Sequence, residues 1–365
     1  MSTAQLTSPP RALDDNRQAE FESRFIRALN EGGMLQLASL GHRTGLFNHM
    51  ADGEPVTSNE LSRRSNLKER YVREWLGGLT VSGIVEHDVD TMTYRLPPEH
   101  ASLLTDDGDA NLAVAAQFIP LLGQVEDDVF DSFKHGKGVP YARYLRFHEV
   151  MAEDSGQTVL PALFDAILPL APELTARLES GIRALDLGCG RGLALMKMAE
   201  RYPASRFEGY DLSQGATAWA REHASERGLN NVTFETRDLT DFDVTAEAEA
   251  FDFVTTFDAI HDQAKPLNLL QGIRRTLKPD GVYLAQDIHS SSHHHHDREH
   301  PLGPLLYTIS IMHCMSVSLA QDGEGLGAMW GRERARDYFT RAGFSSIEVH
   351  QLPHDIQNDY WVLRP

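Results

Sequence analysis

The stretch Ala184-Leu185-Asp186-Leu187-Gly188-Cys189-Gly190-Arg191-Gly192 constrains this chain more than any other. Its first four residues read as a short buried strand, and its alternate glycines as a turn that side chains would block. A helical pattern follows at Leu193, Met196, Met198, Ala199 and Tyr202. Glycine reaches positive φ without strain and lets a ligand lie against the backbone. A helix starting there points free N–H groups and a positive dipole end at whatever sits above the turn. About twenty residues on, Arg206–Leu212 reads as a second strand ending in an acid, Asp211, placed to accept from ribose hydroxyls. The layout is that of a nucleoside site.

The glycine spacing separates two kinds of nucleoside. A dinucleotide fingerprint needs G-x-G-x-x-G, but Leu193 stands where its third glycine belongs, and Gly192 comes one residue early. A nicotinamide oxidoreductase is therefore disfavoured. The pattern D-x-G-x-G-x-G resembles motif I of the class I S-adenosylmethionine methyltransferases. Further matches follow in that family's order: Asp211-Leu212, then Arg237-Asp238-Leu239 after the strand-like Val232–Thr236. Phe251–Phe257 then runs into Asp258-Ala259-Ile260-His261-Asp262, and Leu277-Lys278-Pro279-Asp280-Gly281 resembles the turn before strand five, with Asp280 replacing a glycine. The resemblance implies S-adenosyl-L-methionine as cofactor. It implies contacts from Asp186, Gly188, Cys189, Gly190, Gly192, Asp211, Leu212, Asp238, Leu239 and Asp258.

A length of 365 residues predicts two domains with real cores. The lead-in 1–20 is polar and proline-bearing and reads as disordered. Residues 21–105 resemble the winged-helix domain that precedes the catalytic domain in bacterial small-molecule methyltransferases. The expected parts are a helix over 21–40 broken at Gly32-Gly33, a capped helix from Thr57, a third over 69–81, and a two-stranded wing at 84–87 and 92–96. Residues 106–160 read as a helical linker. Residues 161–365 read as a Rossmann-like α/β domain with a seven-stranded sheet, its strands at 182–187, 206–211, 232–236, 251–257, 281–288, 345–352 and 357–363. An insertion, 289–330, reads as substrate cover.

The formal charge of −19 argues against a nucleic-acid partner, since phosphate binding rests on clustered Lys and Arg. The winged-helix stretch 31–98 holds 7 basic and 9 acidic residues. It therefore reads as a dimerisation and cover module, and the chain as a homodimer. The competing class is a winged-helix regulator whose methyltransferase-like half senses a ligand. Two cysteines leave no disulfide framework and no three-cysteine cluster for radical chemistry. No apolar run approaches the ~20 residues of a membrane span, and no signal peptide opens the sequence. A cytoplasmic enzyme acting on a small-molecule acceptor is expected, by O- or N-methylation.

The acceptor side offers His261 and His313 as catalytic candidates. His261 follows strand four and reads as a general base or as a pocket wall. His313, in an apolar helical run, reads as a base or as a satisfied core residue. Tyr141–Met151 is either a packed helix or the segment over the methionine end of the cofactor. Four consecutive histidines, His293–His296, read as an exposed loop, and no metal is expected, because zinc ligands are spaced more widely. Asp322–Gly327 reads as a lid hinge or an ordinary turn.

Overall fold

In the computed structural model, residues 13–108 and 110–365 are described. The chain divides into a unit ending at Ile119 and a second from Pro120 to Pro365. The stretch expected as a separate linker over 106–160 is thus shared between the two. The part of the expected lead-in at 1–12 lies outside the described residues.

In the first unit, α1 (Asp15–Arg43) is capped by Asp14, whose carboxylate accepts from the N–H groups of Asn16 and Arg17. Two expectations fall here. Residues 15–20 are helical, and Gly32-Gly33 does not break the helix. A Cβ at either glycine would meet nothing within 4 Å, so both occupy an open helix face. There an interior glycine costs only about 1 kcal/mol each, which a helix of 29 residues tolerates. Next come α2 (Ser58–Ser65), capped by Thr57, and α3 (Glu69–Val81). Val72, Trp75, Leu76 and Leu79 of α3 fill the core of this unit with Leu46, Phe47, Met50 and Leu61. The wing is β1 (Glu86–Asp88) paired antiparallel with β2 (Thr93–Arg95). Its turn is fixed by the Asp88 carboxylate, which accepts from the N–H groups of Asp90 and Thr91. α4 (Pro98–Leu104) and α5 (Leu112–Ala116) follow, and α6 (Phe118–Gly123) spans the division.

The second unit opens with α7 (Glu126–His135), α8 (Phe147–Ala162) and α9 (Leu174–Ser180). Its sheet holds β3 (Arg183–Leu187), β4 (Arg206–Asp211), β5 (Val232–Thr236), β6 (Phe251–Phe257), β7 (Leu277–Ile288), β8 (Ser346–His350) and β9 (Asn358–Arg364). The order is β5-β4-β3-β6-β7-β9-β8. The first five are parallel, and β9 pairs antiparallel with both β7 and β8. The helices between strands are α10 (Leu193–Arg201), α11 (Gln214–Glu226), α12 (Phe242–Thr245) and α13 (Pro266–Thr276). The insertion carries α14 (Gly303–Ile309) and α15 (Met315–Leu319), and α16 (Arg332–Ala342) precedes β8.

Strand residues alternate between two cores, because successive side chains point to opposite faces. Ala184, Phe253, Val282 and Leu284 enter one cluster with α10 and α11. Leu185, Val254, Tyr283 and Ala285 enter another with α13 and α16. A parallel sheet buried on both faces explains why its strands read as unbroken apolar runs. Among the described residues no single helix is long and apolar enough to cross a membrane.

Candidate functional site

The glycine turn joins β3 to α10. Gly188, Gly190 and Gly192 all have positive φ, at 70°, 53° and 66°. The three differ in what surrounds them. A Cβ on Gly188 would lie 2.5 Å from the Ala259 methyl, and one on Gly192 2.1 Å from the Phe234 ring. At Gly190 the nearest atom would be His148 Nδ1 at 3.9 Å. Gly188 and Gly192 are therefore needed for packing, while Gly190 faces the open side of the turn.

Asp211, at the end of β4, ties the two halves of this region. Its Oδ2 accepts the Gly190 N–H at 2.8 Å and its Oδ1 the Ser213 N–H at 2.7 Å. A carboxylate accepts about four hydrogen bonds, so capacity remains on both oxygens. Asp186 is 3% exposed and takes the Thr255 hydroxyl at 2.8 Å. Burial, with the nearby Asp211 charge, pushes its carboxyl up to about 7, against the Thr255 hydrogen bond. Leu239 is buried; Leu212 is 44% exposed, and the exposed Asp238 uses one carboxylate oxygen to hold Thr240.

Beyond β6 and β7 lies a second group. His261, 3% exposed, sets its Nδ1 2.7 Å from Asp287 Oδ1. That oxygen also accepts from Trp330 Nε1 and from the Ile288 N–H, so Asp287 is fixed from three sides. Burial by itself would lower the His261 pKa, but the Asp287 carboxylate outweighs it and holds the imidazole well above its usual value. The Cys314 thiol hydrogen-bonds the same ring. Asp258, at φ 50°, accepts from Gln286 Nε2 through Oδ2. Burial and the Asp287 charge push its carboxyl well above the usual range. Asp262 does not orient His261; it accepts the Tyr141 hydroxyl instead.

His313 is fully buried in a π-helical turn, Ser310–Cys314, a distortion frequent at functional sites. Its ring stacks on Phe147 at 3.6 Å between centroids and meets Tyr141 and Tyr144 edge-on. Neither ring nitrogen has a hydrogen-bond partner among the described residues. Burial, then the neighbouring His148 and His261, hold it well below its usual pKa and hence neutral. Tyr141–Met151 is only partly helical, since α8 begins at Phe147. Its Tyr141, Phe147 and His148 form a continuous aromatic cluster with His313.

The turn 322–327 is pinned. The Gly327 N–H binds the His261 carbonyl, and Ser318 Oγ donates to the Gln263 carbonyl while accepting from the Gly325 N–H. A Cβ on Gly323 would meet Ser318 backbone at 2.5 Å, so this segment is a packed turn and no hinge. His293–His296 are exposed. Asp287, Cys314, Gln286 and Thr255 escaped the sequence reading. Each sits in an apolar strand or helix pattern with nothing local to mark it.

The comparisons agree with this architecture. Residues 33–106 match the model of the Rv2258c-like winged HTH domain, and residues 178–321 match that of a methyltransferase domain. A ubiquinone biosynthesis O-methyltransferase of Actinobacillus pleuropneumoniae serotype 5b is 32% identical over 111 residues. The match covers 30% of this chain and 46% of that protein, so the chain spans under half the length of the curated relatives it matches. A structure described as a putative O-methyltransferase from Nostoc punctiforme has TM-score 0.69 at 18% identity, covering 94% of this chain and 98% of that one. Human N-acetylserotonin methyltransferase, in complex with S-adenosylmethionine, has TM-score 0.65 at 18% identity, covering 98% and 99%. The chain thus joins an N-terminal winged helix-turn-helix domain to a methyltransferase domain.

Proposed function

We propose that this protein transfers a methyl group from S-adenosylmethionine to a hydroxyl of a small-molecule acceptor. The observation that carries the reading is the Gly190–Asp211 arrangement. A backbone N–H and an acid with spare acceptor capacity border Gly190, the glycine of this turn whose Cβ direction is open. The glycine spacing, with Leu193 where a dinucleotide turn has its third glycine, favours this cofactor over a dinucleotide. The names of the curated relatives favour oxygen over nitrogen as the acceptor atom.

The transfer is an in-line displacement. An acceptor oxygen lone pair forms the new O–CH3 bond while the S–CH3 bond breaks, and the sulfonium becomes a neutral thioether. The hydroxyl proton passes to His261, whose ring Asp287 orients, in the manner of an Asp-supported histidine base. His313, neutral and with both nitrogens unpartnered, stands ready to hydrogen-bond the acceptor. Calorimetry with S-adenosylhomocysteine, followed by transfer of labelled methyl to hydroxylated and aminated acceptors, tests this. Absence of S-adenosylhomocysteine binding overturns it.

The reading of the winged helix as an association module, and of the cytoplasm as its setting, has support of its own. Arg73 pairs with Glu69, Arg70 with Glu74, and Arg64 with Glu60 and Asp52. The cations a DNA reader would present are thus matched by acids. Phe21, Phe25, Ile26 and Leu29 line one side of α1 at 63%, 55%, 52% and 64% exposure. A second copy of this chain covers that stripe in the homodimer we propose. Both cysteines are free, as a reducing compartment requires.

A further inference from the structure

Three donors from two segments, the loop that follows β6 and the last residues of β7, face one another. One donor atom each from Asp258, His261 and Asp287 lies within 4.8 Å of the others. Two carboxylates this close normally saturate their oxygens with hydrogen bonds. These do so only in part. Asp258 Oδ2 takes Gln286, and Asp287 Oδ1 takes His261, Trp330 and the Ile288 N–H. Asp258 Oδ1 and Asp287 Oδ2 are closed off from solvent and have no partner among the described residues, although Asp287 is only 2% exposed. Two buried carboxyl oxygens without partners leave a place for a cation, which would displace any proton held there.

We propose that Asp258, His261 and Asp287 bind one divalent transition-metal cation that orients the acceptor oxygen, a proposal that rests on the methyl-transfer reading. Donors on opposite sides of an ion with bonds of ~2.1 Å stand about 4.2 Å apart, so small side-chain rotations close the 4.8 Å span. Calcium prefers six to eight oxygens, whereas two carboxylates and an imidazole suit Mn²⁺, Fe²⁺ or Zn²⁺. Gln286 and Trp330 hold the carboxylates from behind, as outer partners of metal ligands do. Three protein ligands leave positions open, which an acceptor hydroxyl, or two adjacent oxygens of one acceptor, would fill. With the ion bound, His261 is a ligand and the acceptor proton leaves to water; without it, His261 takes that proton. This group is distinct from the exposed run His293–His296, which binds such ions as any histidine run does.

The test uses full-length protein with His293, His294, His295 and His296 changed to Ser, stripped of metal and titrated with Mn²⁺. The spin resonance of free Mn²⁺ reports binding. One saturable ion per chain is expected, weakened at least ~10-fold by Asp258→Asn and by Asp287→Asn, with an unchanged circular dichroism spectrum and a cooperative thermal transition as the check on folding. If Asp287→Asn fails to fold, Asp258→Asn, at a partly exposed position, carries the test alone. No saturable Mn²⁺ site in protein that binds S-adenosylhomocysteine overturns the proposal, as does a site indifferent to both substitutions. An intact Mn²⁺ site without S-adenosylhomocysteine binding overturns the methyl-transfer reading and leaves the ion site standing.

Discussion

The carboxylate of Asp211 accepts the backbone N–H of Gly190 at 2.8 Å, bridging 21 residues of sequence. One side chain therefore both shapes the glycine turn and borders the space above it. Asp211→Ala removes the acceptor for two backbone N–H groups and the proposed partner of the ribose. Affinity for S-adenosylhomocysteine should fall by about 1.5–3 kcal/mol, one to two decades. Asp211→Asn, which can still accept one N–H, should lose less. Calorimetry reading wild-type affinity in Asp211→Ala would remove this residue from the site.

The glycines of the turn should separate by phenotype. Gly192→Ala drives a methyl into the Phe234 ring and should lower the unfolding free energy by about 1–3 kcal/mol. Gly190→Ala shares the strain of a positive φ but points its methyl into open space, so stability should fall less while cofactor affinity drops. Equal thermal losses in both, or normal affinity in Gly190→Ala, would contradict the arrangement.

Asp186 gives a pH signature. Its carboxyl is raised from an ordinary 3.8 to about 7, chiefly by burial. Between those values the folded state holds the proton and the unfolded state does not. Stability thus falls as pH rises through this window, by on the order of 2–4 kcal/mol. Asp186→Asn keeps an acceptor for Thr255 and escapes the penalty. Urea denaturation at pH 4, 6 and 8 should show the variant gaining on wild type as pH rises. A difference independent of pH would refute the buried acid.

The exposed stripe on α1 should govern association. Light scattering should report a dimer for wild type and a monomer for Phe25→Asp combined with Leu29→Asp, with the winged-helix core intact because neither residue contributes to it. A wild-type monomer would end the dimer proposal. No saturable duplex binding is expected at low salt. Site-specific binding with a steep salt dependence, lost on Arg70→Glu, would favour the regulator.

In metal-free protein, with Asp287 as partner of His261 and the acceptor proton taken by its ring, rate should rise with pH until the imidazole is largely neutral, above the usual histidine range. Asp287→Asn should shift that limb downward as well as slow turnover. An unchanged profile in a folded variant would detach the pair from the chemistry.

Local physics made part of this protein legible from its residues. Glycine reaches the φ values of the turn between β3 and α10 without strain, so Gly188-Cys189-Gly190-Arg191-Gly192 announced itself. A strand buried on both faces must be apolar throughout, so β3, β6 and the centre of β7 could be read with their order. Asp211 followed from the fixed length of a strand–helix–strand unit. What stayed hidden depends on approach across sequence distance. Gly32-Gly33 reads as a helix break, yet α1 runs through because nothing packs there to exploit one. Asp287 sits in an apolar strand, and only the parallel pairing of β6 with β7 brings it to His261, 26 residues away. Cys314 and His313 reach the same region on an insertion whose path no periodicity encodes. Sequence determines what each segment can be, through backbone sterics and the period of its apolar residues. Which buried acids and imidazoles meet is decided by tertiary packing, because charge pairing depends on distances that only the closed fold sets.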